Sequence, residues 1–235
     1  MQEERIQKLI SMSGMMSRRS AEQLIQSGKV LVNGTVVGIG TKADALRDEI
    51  IVDGKKLQLT QKPVYIMLNK PSGYVTTLSD EKNRPIVTDL LKDIDERVYP
   101  VGRLDINTEG LLILTNDGDF ANKLMHPSFK LTKTYRVFLG GEDLKNRIKK
   151  LEEPIVINGK KTRPAKVTLI EDNGNNGIVQ IVIEEGRNRQ VRRLCENADL
   201  KVKKLIRVAE GPFSLGNLKP GCWRHLTAAE INKVK

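Results

Sequence analysis

A chain of 235 residues, 39% hydrophobic and 29% charged, has room for one small and one medium domain with real cores. No stretch couples low hydrophobicity to a single sign of charge, which excludes a disordered tail, and no apolar run nears the ~18 residues of a membrane span. The excess of 40 Lys and Arg over 29 Asp and Glu leaves +11, a field that attracts RNA, DNA or an anionic surface without choosing among them.

The basic excess is spread over both parts of the chain, +3 in residues 1–62 and +8 in 63–235. The opening MQEERIQKLI carries charges where a secretory leader needs an apolar stretch, so the reading is cytoplasmic, with no membrane partner. Cys195 and Cys222 form no disulfide framework, and His126 and His225 form no cluster with them, so no metal site is expected.

Ile6, Leu9 and Ile10 repeat at helical spacing and predict a first helix from about Glu3 to Ser11, closed near Gly14. Ser17 or Ser20 caps a second helix, with Ala21, Leu24 and Ile25 as its buried stripe and Gly28 as its end. The string KVLVNGTVV then places Asn33-Gly34 between two β-branched runs, the strongest short signal for a hairpin, because both turn residues tolerate positive φ. DEIIVDGKKL adds another strand and turn, and the polar QLTQKP, Gln58 to Pro63, marks a linker between domains 1–60 and 61–235.

Beyond it, strands are expected at Val64 to Leu68, Leu111 to Thr115, Thr134 to Leu139, Ala165 to Ile170, Ile178 to Glu184, Val202 to Val208 and Trp223 to Leu226. Helices are expected at Asp119 to Met125, Glu142 to Leu151, Arg189 to Asn197 and Ala228 to Val234, the last opened by a capping box of Thr227 and Glu230. Strands that follow one another without regular helices between them predict an α+β fold. A small α-then-β module precedes a mixed, mainly antiparallel sheet flanked by helices.

The string SRRSAEQLIQSGKVLVNG, within residues 3 to 57, resembles the alpha-L type of RNA-binding domain. That resemblance implies docking onto structured RNA, with Arg5, Lys8, Arg18, Arg19, Lys29, Asn33 and Gly34 as contacts. Such basic contacts give affinity with little sequence information. On charge alone, these residues read equally well as the solvated face of a helical pair.

In YPVGRLDINTEGLLILTNDGDFANKLMHP, residues 99 to 127, Asp105 lies between Arg103 and an apolar strand. A carboxylate held on a loop beside a core strand, kept charged by basic neighbours, suits attack on a sugar carbon. A lone loop aspartate is more often a turn former or cap. GRLDINTEGLLILTNDGD, however, resembles the central motif of the pseudouridine synthases, in the branch that modifies ribosomal RNA and carries the alpha-L module. LNKPSGYVTT at 68–77, KTYRVFLGG at 133–141, EEGRNRQVRRL at 184–194 and LIRVAEGPFSLGNLKPGCWRHLT at 205–227 follow in family order.

The resemblance implies cofactor-free isomerisation of uridine, in ribosomal RNA or a ribosomal subunit precursor, by a chain for which a monomer suffices. It leans to the large subunit, with the small subunit as the alternative. Asp105 matches the catalytic aspartate, either as nucleophile toward the sugar or as the base of a glycal route. Tyr135 matches the tyrosine that stacks on the extruded uracil, and Arg192 the basic residue paired with the aspartate by two parallel hydrogen bonds. Arg103 matches the residue that fills the space of the departed base, and Leu205 lines the base pocket.

Lys70, Arg187, Arg189 and Arg193 are assigned to RNA binding, as part of a basic run in which Arg187 to Arg207 hold eight cations and two carboxylates. Against the family pattern, Ser72 replaces a basic residue, Leu194 a methionine and Glu210 an apolar residue. Two other readings compete. One is an alpha-L binding protein without chemistry, which would leave the second domain unexplained. The other is a nucleoside hydrolase with Asp105 and Glu109 as a carboxylate pair.

Overall fold

The structure, a computed structural model, describes residues 3–59, 62–126, 129 and 131–234. They divide into two compact units. The first holds residues 3–64 with Ile94–Val98 and Asn116–Gly118, and the second holds the remainder. Thr60 and Gln61, inside the expected linker, lie outside the described residues.

In the first unit, β1 (Glu4–Arg5) pairs antiparallel with β4 (Lys42–Ala43). This pairing delays α1 to Ile6–Met12, against the expected start at Glu3, because the backbone of residues 4 and 5 is taken up by the ladder and Ile6 N–H donates to the Thr41 carbonyl. α2 (Arg18–Gln26) is capped by Ser17, whose hydroxyl accepts from Ser20 N–H at 3.1 Å, while Ser20 lies within the helix.

Asn33 and Gly34, at φ 50° and 78°, turn β2 (Val30–Val32) into β3 (Thr35–Val36). Asp53 and Gly54 repeat the device between β5 (Ile50–Val52) and β6 (Lys55–Lys56). Ile6, Leu9, Ile10, Ala21, Ile25, Val30, Ile50 and Val52 form the unit's core, whereas Leu24 is only half-buried at its edge.

The second unit begins with β7 (Tyr65–Lys70), all six residues of which are buried, followed by a 3-10 turn at Val87–Leu90. Next come β8 (Tyr99–Val101), β9 (Glu109–Thr115), α3 (Gly118–Met125), β10 (Lys133–Gly140), α4 (Leu144–Leu151) and the short hairpin of β11 (Val156–Ile157) and β12 (Lys160–Lys161). The chain closes with β13 (Lys166–Asp172), β14 (Asn176–Ile183), α5 (Gln190–Asn197), β15 (Lys201–Glu210), β16 (Phe213–Ser214), β17 (Trp223–His225) and α6 (Ala228–Asn232).

Nine strands form one sheet in the order β13-β14-β10-β15-β9-β7-β17, with β16 added on β15 and β8 on β9. All pairs are antiparallel except β9 with β15, so the sheet is mixed and mainly antiparallel. At that parallel junction Gly110 faces Arg207. Its φ is +107°, and a Cβ there would lie 2.2 Å from the Arg207 carbonyl oxygen, so only glycine lets the two backbones meet.

The core is split along the same seam. Val137, Leu139, Val179, Ile181 and Leu205 pack with Leu144 and Leu151 of α4 and Val191, Leu194 and Cys195 of α5. Met67, Val101, Leu111 and Ile113 pack with Phe120, Leu124 and Phe213. The loop after β8 and the start of α5 open beside this seam.

Candidate active site

A cavity of about 820 Å³ in the second unit is lined by Arg103, Asp105, Tyr135, Arg187, Arg189, Arg192 and Leu205, together with Lys133, Arg207 and Glu210. Residues drawn from four motifs spread along the second unit's sequence thus meet at one opening. Its volume is in the range that encloses a nucleoside-sized ligand.

Asp105 stands on the turn between β8 and β9. The turn is fixed from below by Lys70, the last residue of β7, which is 0% exposed. Its Nζ donates to the carbonyls of Pro71, Asp105, Ile106 and Thr108 at 2.9–3.2 Å. Burial pulls the Lys70 ammonium down to about 8, opposed by the carboxylates of Glu109 and Asp105. The assignment of Lys70 to RNA binding is therefore overturned: it ends a wholly buried strand, and the turn folds over its charged tip.

Three further clips hold the same turn. Gly73 N–H donates to the Ile106 carbonyl at 2.9 Å, Thr76 Oγ1 donates to the Leu104 carbonyl at 2.8 Å, and Thr108 N–H closes the turn on the Asp105 carbonyl at 3.0 Å. A loop carrying this many satisfied backbone groups is preorganised, and its carboxylate is carried on a fixed frame.

The expected Arg192 clamp is also corrected. Arg189 Nη1 lies 3.7 Å from Asp105 Oδ2, while Arg192 Nη2 donates to the Asn107 carbonyl at 2.8 Å and to Thr108 Oγ1 at 3.4 Å. The cause is local. α5 starts at Gln190 with Arg189 left-handed at its cap, φ 53°, which brings that guanidinium to the mouth beside Asp105, and Arg192, inside the first turn, meets the far half of the Asp105 loop. Burial and the neighbouring Arg189 lower Arg192 from the usual guanidinium range, and Asp105 pulls it back.

Tyr135 faces the cavity from β10, buried, with its phenol pushed above the ordinary range chiefly by burial, while the Arg207 charge acts against the shift. It therefore meets a ligand as a neutral phenol near pH 7. Leu205 is buried on β15 opposite Val137, and Arg103 is exposed at the rim. Arg187 is tied to the Glu185 carboxylate and the Lys160 carbonyl, and Arg193 turns to Asn188. Glu109, the partner needed for a hydrolase pair, is bound by Lys204 at 3.0 Å and does not line the cavity.

In the first unit, Arg5, Arg18 and Arg19 are exposed. Lys8 pairs with Glu4 at 2.6 Å and Lys29 with Asp53 at 3.2 Å. Asn33 is exposed on the hairpin turn, where its amide donates to Asp48 Oδ1 and its side-chain carbonyl accepts from Glu49 N–H. These bonds stitch the hairpin, with Gly34 completing the turn.

Sequence reasoning missed Arg189 as the cation beside Asp105, and missed Arg207 and Glu210 on the cavity floor. The alternation along KVKKLIRVAE held a signal, since Leu205 and Arg207 fall on one face of a strand.

A family model described as RNA pseudouridylate synthase matches residues 64–197, and an S4 domain model matches residues 4–45. The chain is 45% identical to "Ribosomal large subunit pseudouridine synthase B" of Bacillus subtilis (strain 168), over 99% of this chain and 96% of that protein. It is 43% identical to "Uncharacterized RNA pseudouridine synthase" of Aquifex aeolicus (strain VF5), over 100% and 94%. A solved structure titled "Crystal structure of pseudouridylate synthase" aligns with a TM-score of 0.67 at 31% identity, covering 98% of this chain and 99% of that one. With a fixed aspartate in a basic cavity and both family models matched in order, the chain belongs to the RNA pseudouridylate synthase family, isomerases of RNA, with an S4 domain at its N-terminal end.

Proposed function

We propose that this protein converts one or very few uridines of large-subunit ribosomal RNA, free or in a subunit precursor, to pseudouridine, as a cytoplasmic monomer. Residues 1–60 serve as the RNA-docking domain and 61–235 as the catalytic domain. The observation that carries the reading is the Asp105 carboxylate on a turn held by Lys70, Gly73, Thr76 and Arg192, at the mouth of a cavity large enough for a swung-out nucleotide. The 45% identity to a large-subunit enzyme over nearly the whole chain supports the choice of subunit.

On this reading the target uridine leaves its stack, and Arg103 at the rim fills the gap behind it. The uracil enters between Tyr135 and Leu205. The glycosidic bond breaks with Asp105 at the sugar, the base turns over, and carbon 5 joins the sugar. Arg189, 3.7 Å from Asp105, balances the carboxylate until the nucleotide enters.

The test is single turnover on ribosomal RNA with pseudouridine mapping. Asp105→Ala is expected to bind RNA as wild type does and to leave every uridine unchanged, a loss of roughly 10⁴-fold or more in rate for a group of this role. Undiminished conversion by this variant overturns the assignment.

A further inference from the structure

The floor of the cavity carries charge that the scheme above leaves unused. Arg207 lies on β15 directly opposite Tyr135 of β10, so the two side chains share a face. The Arg207 side chain is only 2% exposed. Its Nε donates to the Leu111 carbonyl at 2.8 Å. Its Nη2 lies 3.2 Å from Glu210 Oε2 in an ion pair, yet among the described residues this buried nitrogen has no partner in hydrogen-bonding geometry, while the guanidinium also reaches the Tyr135 phenol.

Glu210 also faces Lys133 Nζ at 3.5 Å, and all four residues line the cavity. Two cations against one carboxylate leave the floor net positive. A buried guanidinium nitrogen with a free donor direction is matched by an oxygen that gains negative charge inside the cavity.

The proposed isomerisation generates such an oxygen. When the bond from N1 to the sugar carbon breaks, its electron pair passes to N1 and spreads onto O2 and O4. The sugar carbon is satisfied by the Asp105 carboxylate, or by an adjacent double bond after loss of the 2′ proton. By either route the base departs as a uracil anion. When carbon 5 takes the sugar carbon and gives up its proton, N1 is protonated and the charge disappears. An enclosed, preoriented cation is worth most against charge that exists only during the reaction.

We infer that Arg207 is a further catalytic residue, donating from Nη2 to a carbonyl oxygen of the uracil as the glycosidic bond breaks, and that Glu210 is the positioning residue that aims it. The inference rests on the isomerase reading above and adds to it the group that stabilises the departing base. By the family resemblance an apolar residue is frequent where Glu210 stands.

The experiment compares wild type, Arg207→Met and Glu210→Gln in single turnover on a target RNA carrying either uridine or 5-fluorouridine, reading disappearance of the target nucleoside. Fluorine withdraws charge from the departing base and lessens its need for a cation. Arg207→Met is expected to cleave the uridine substrate on the order of 100-fold more slowly, with RNA affinity unchanged, and to lose about tenfold less on 5-fluorouridine. Glu210→Gln is expected to show the same selectivity at smaller amplitude.

Equal deficits on both RNAs, or none, overturn the assignment, since a purely structural role slows both alike. Should Arg207→Met fail to fold because the clip to Leu111 is lost, Glu210→Gln makes the same comparison alone. A wild type that leaves uridine untouched refutes the isomerase reading itself. An active wild type with unselective variants refutes only the role of Arg207.

Discussion

A lysine with no atom open to solvent supports the turn that presents Asp105, its ammonium gathering four backbone carbonyls around one charge. Lys70→Met keeps the apolar stem and removes the ammonium, which leaves each of those oxygens short of a donor. The expected cost is about 2–4 kcal/mol of stability, read by denaturant unfolding, with a fall in kcat and little change in KM as the turn loosens. Stability within about 0.5 kcal/mol of wild type, the range of neutral surface changes, contradicts the supporting role. In sequence this lysine looked like one more cation near a basic site. What betrays it is position, at the end of YIMLNK, where every preceding residue is buried. That Asp105, Tyr135 and Leu205 meet at one cavity was legible because their motifs are local. The partner of Asp105 was not, because the choice between Arg189 and Arg192 depends on which residue adopts the left-handed cap of α5, φ 53° at Arg189.

Helix α6 shows how much a few local interactions settle at the scale of one element. Its capping box was readable from Thr227 and Glu230, and the structure adds Arg224, whose two terminal nitrogens bind Glu230 at 2.7 and 2.8 Å. Hydrogen bonds from Arg224, then from Thr227, hold the Glu230 carboxyl at about 2, below its ordinary 4.5. A carboxylate with a depressed folded-state value stabilises the fold above its unfolded value and loses that contribution as pH falls toward the folded one. The window here is pH 4.5 to about 2. Because Arg224 is partly open to water, the contribution is roughly 1–2 kcal/mol. Protection of the α6 amides relative to the intrinsic exchange rate at each pH is expected to fall across that window in wild type and to stay level in Glu230→Gln; identical protection profiles contradict the assignment. The start of α1 was misread for the opposite reason. Glu4 and Arg5 look helical alone, and their strand exists only because Lys42 and Ala43 come back to meet them.

At the scale of the whole molecule, the +11 charge is the property that first pointed to a polyanion, and residues 1–62 hold +3 of it. Deleting residues 1–57 is expected to weaken RNA binding and flatten its salt dependence, by about 0.7–0.9 in slope for each phosphate that is no longer neutralised. Filter binding across a salt series measures it, and an unaltered slope rejects the docking role of the N-terminal residues. The mixed sheet was legible as a class from the succession of strands. Its order was not, because the pairing of β9 with β15 joins distant parts of the sequence, Gly110 with Arg207, and no local pattern encodes such a partner.

That late pairing bears on how the enzyme comes into being. β15 lies between β10 and β9, so without residues 201–210 the strands β13-β14-β10 and β9-β7 share no pairing. Insertion of one strand welds the halves. In the same event it lays Leu205 and Arg207 along the cavity floor. A chain that has made Asp105 but not yet β15 therefore lacks the wall of the cavity that Leu205 and Arg207 supply.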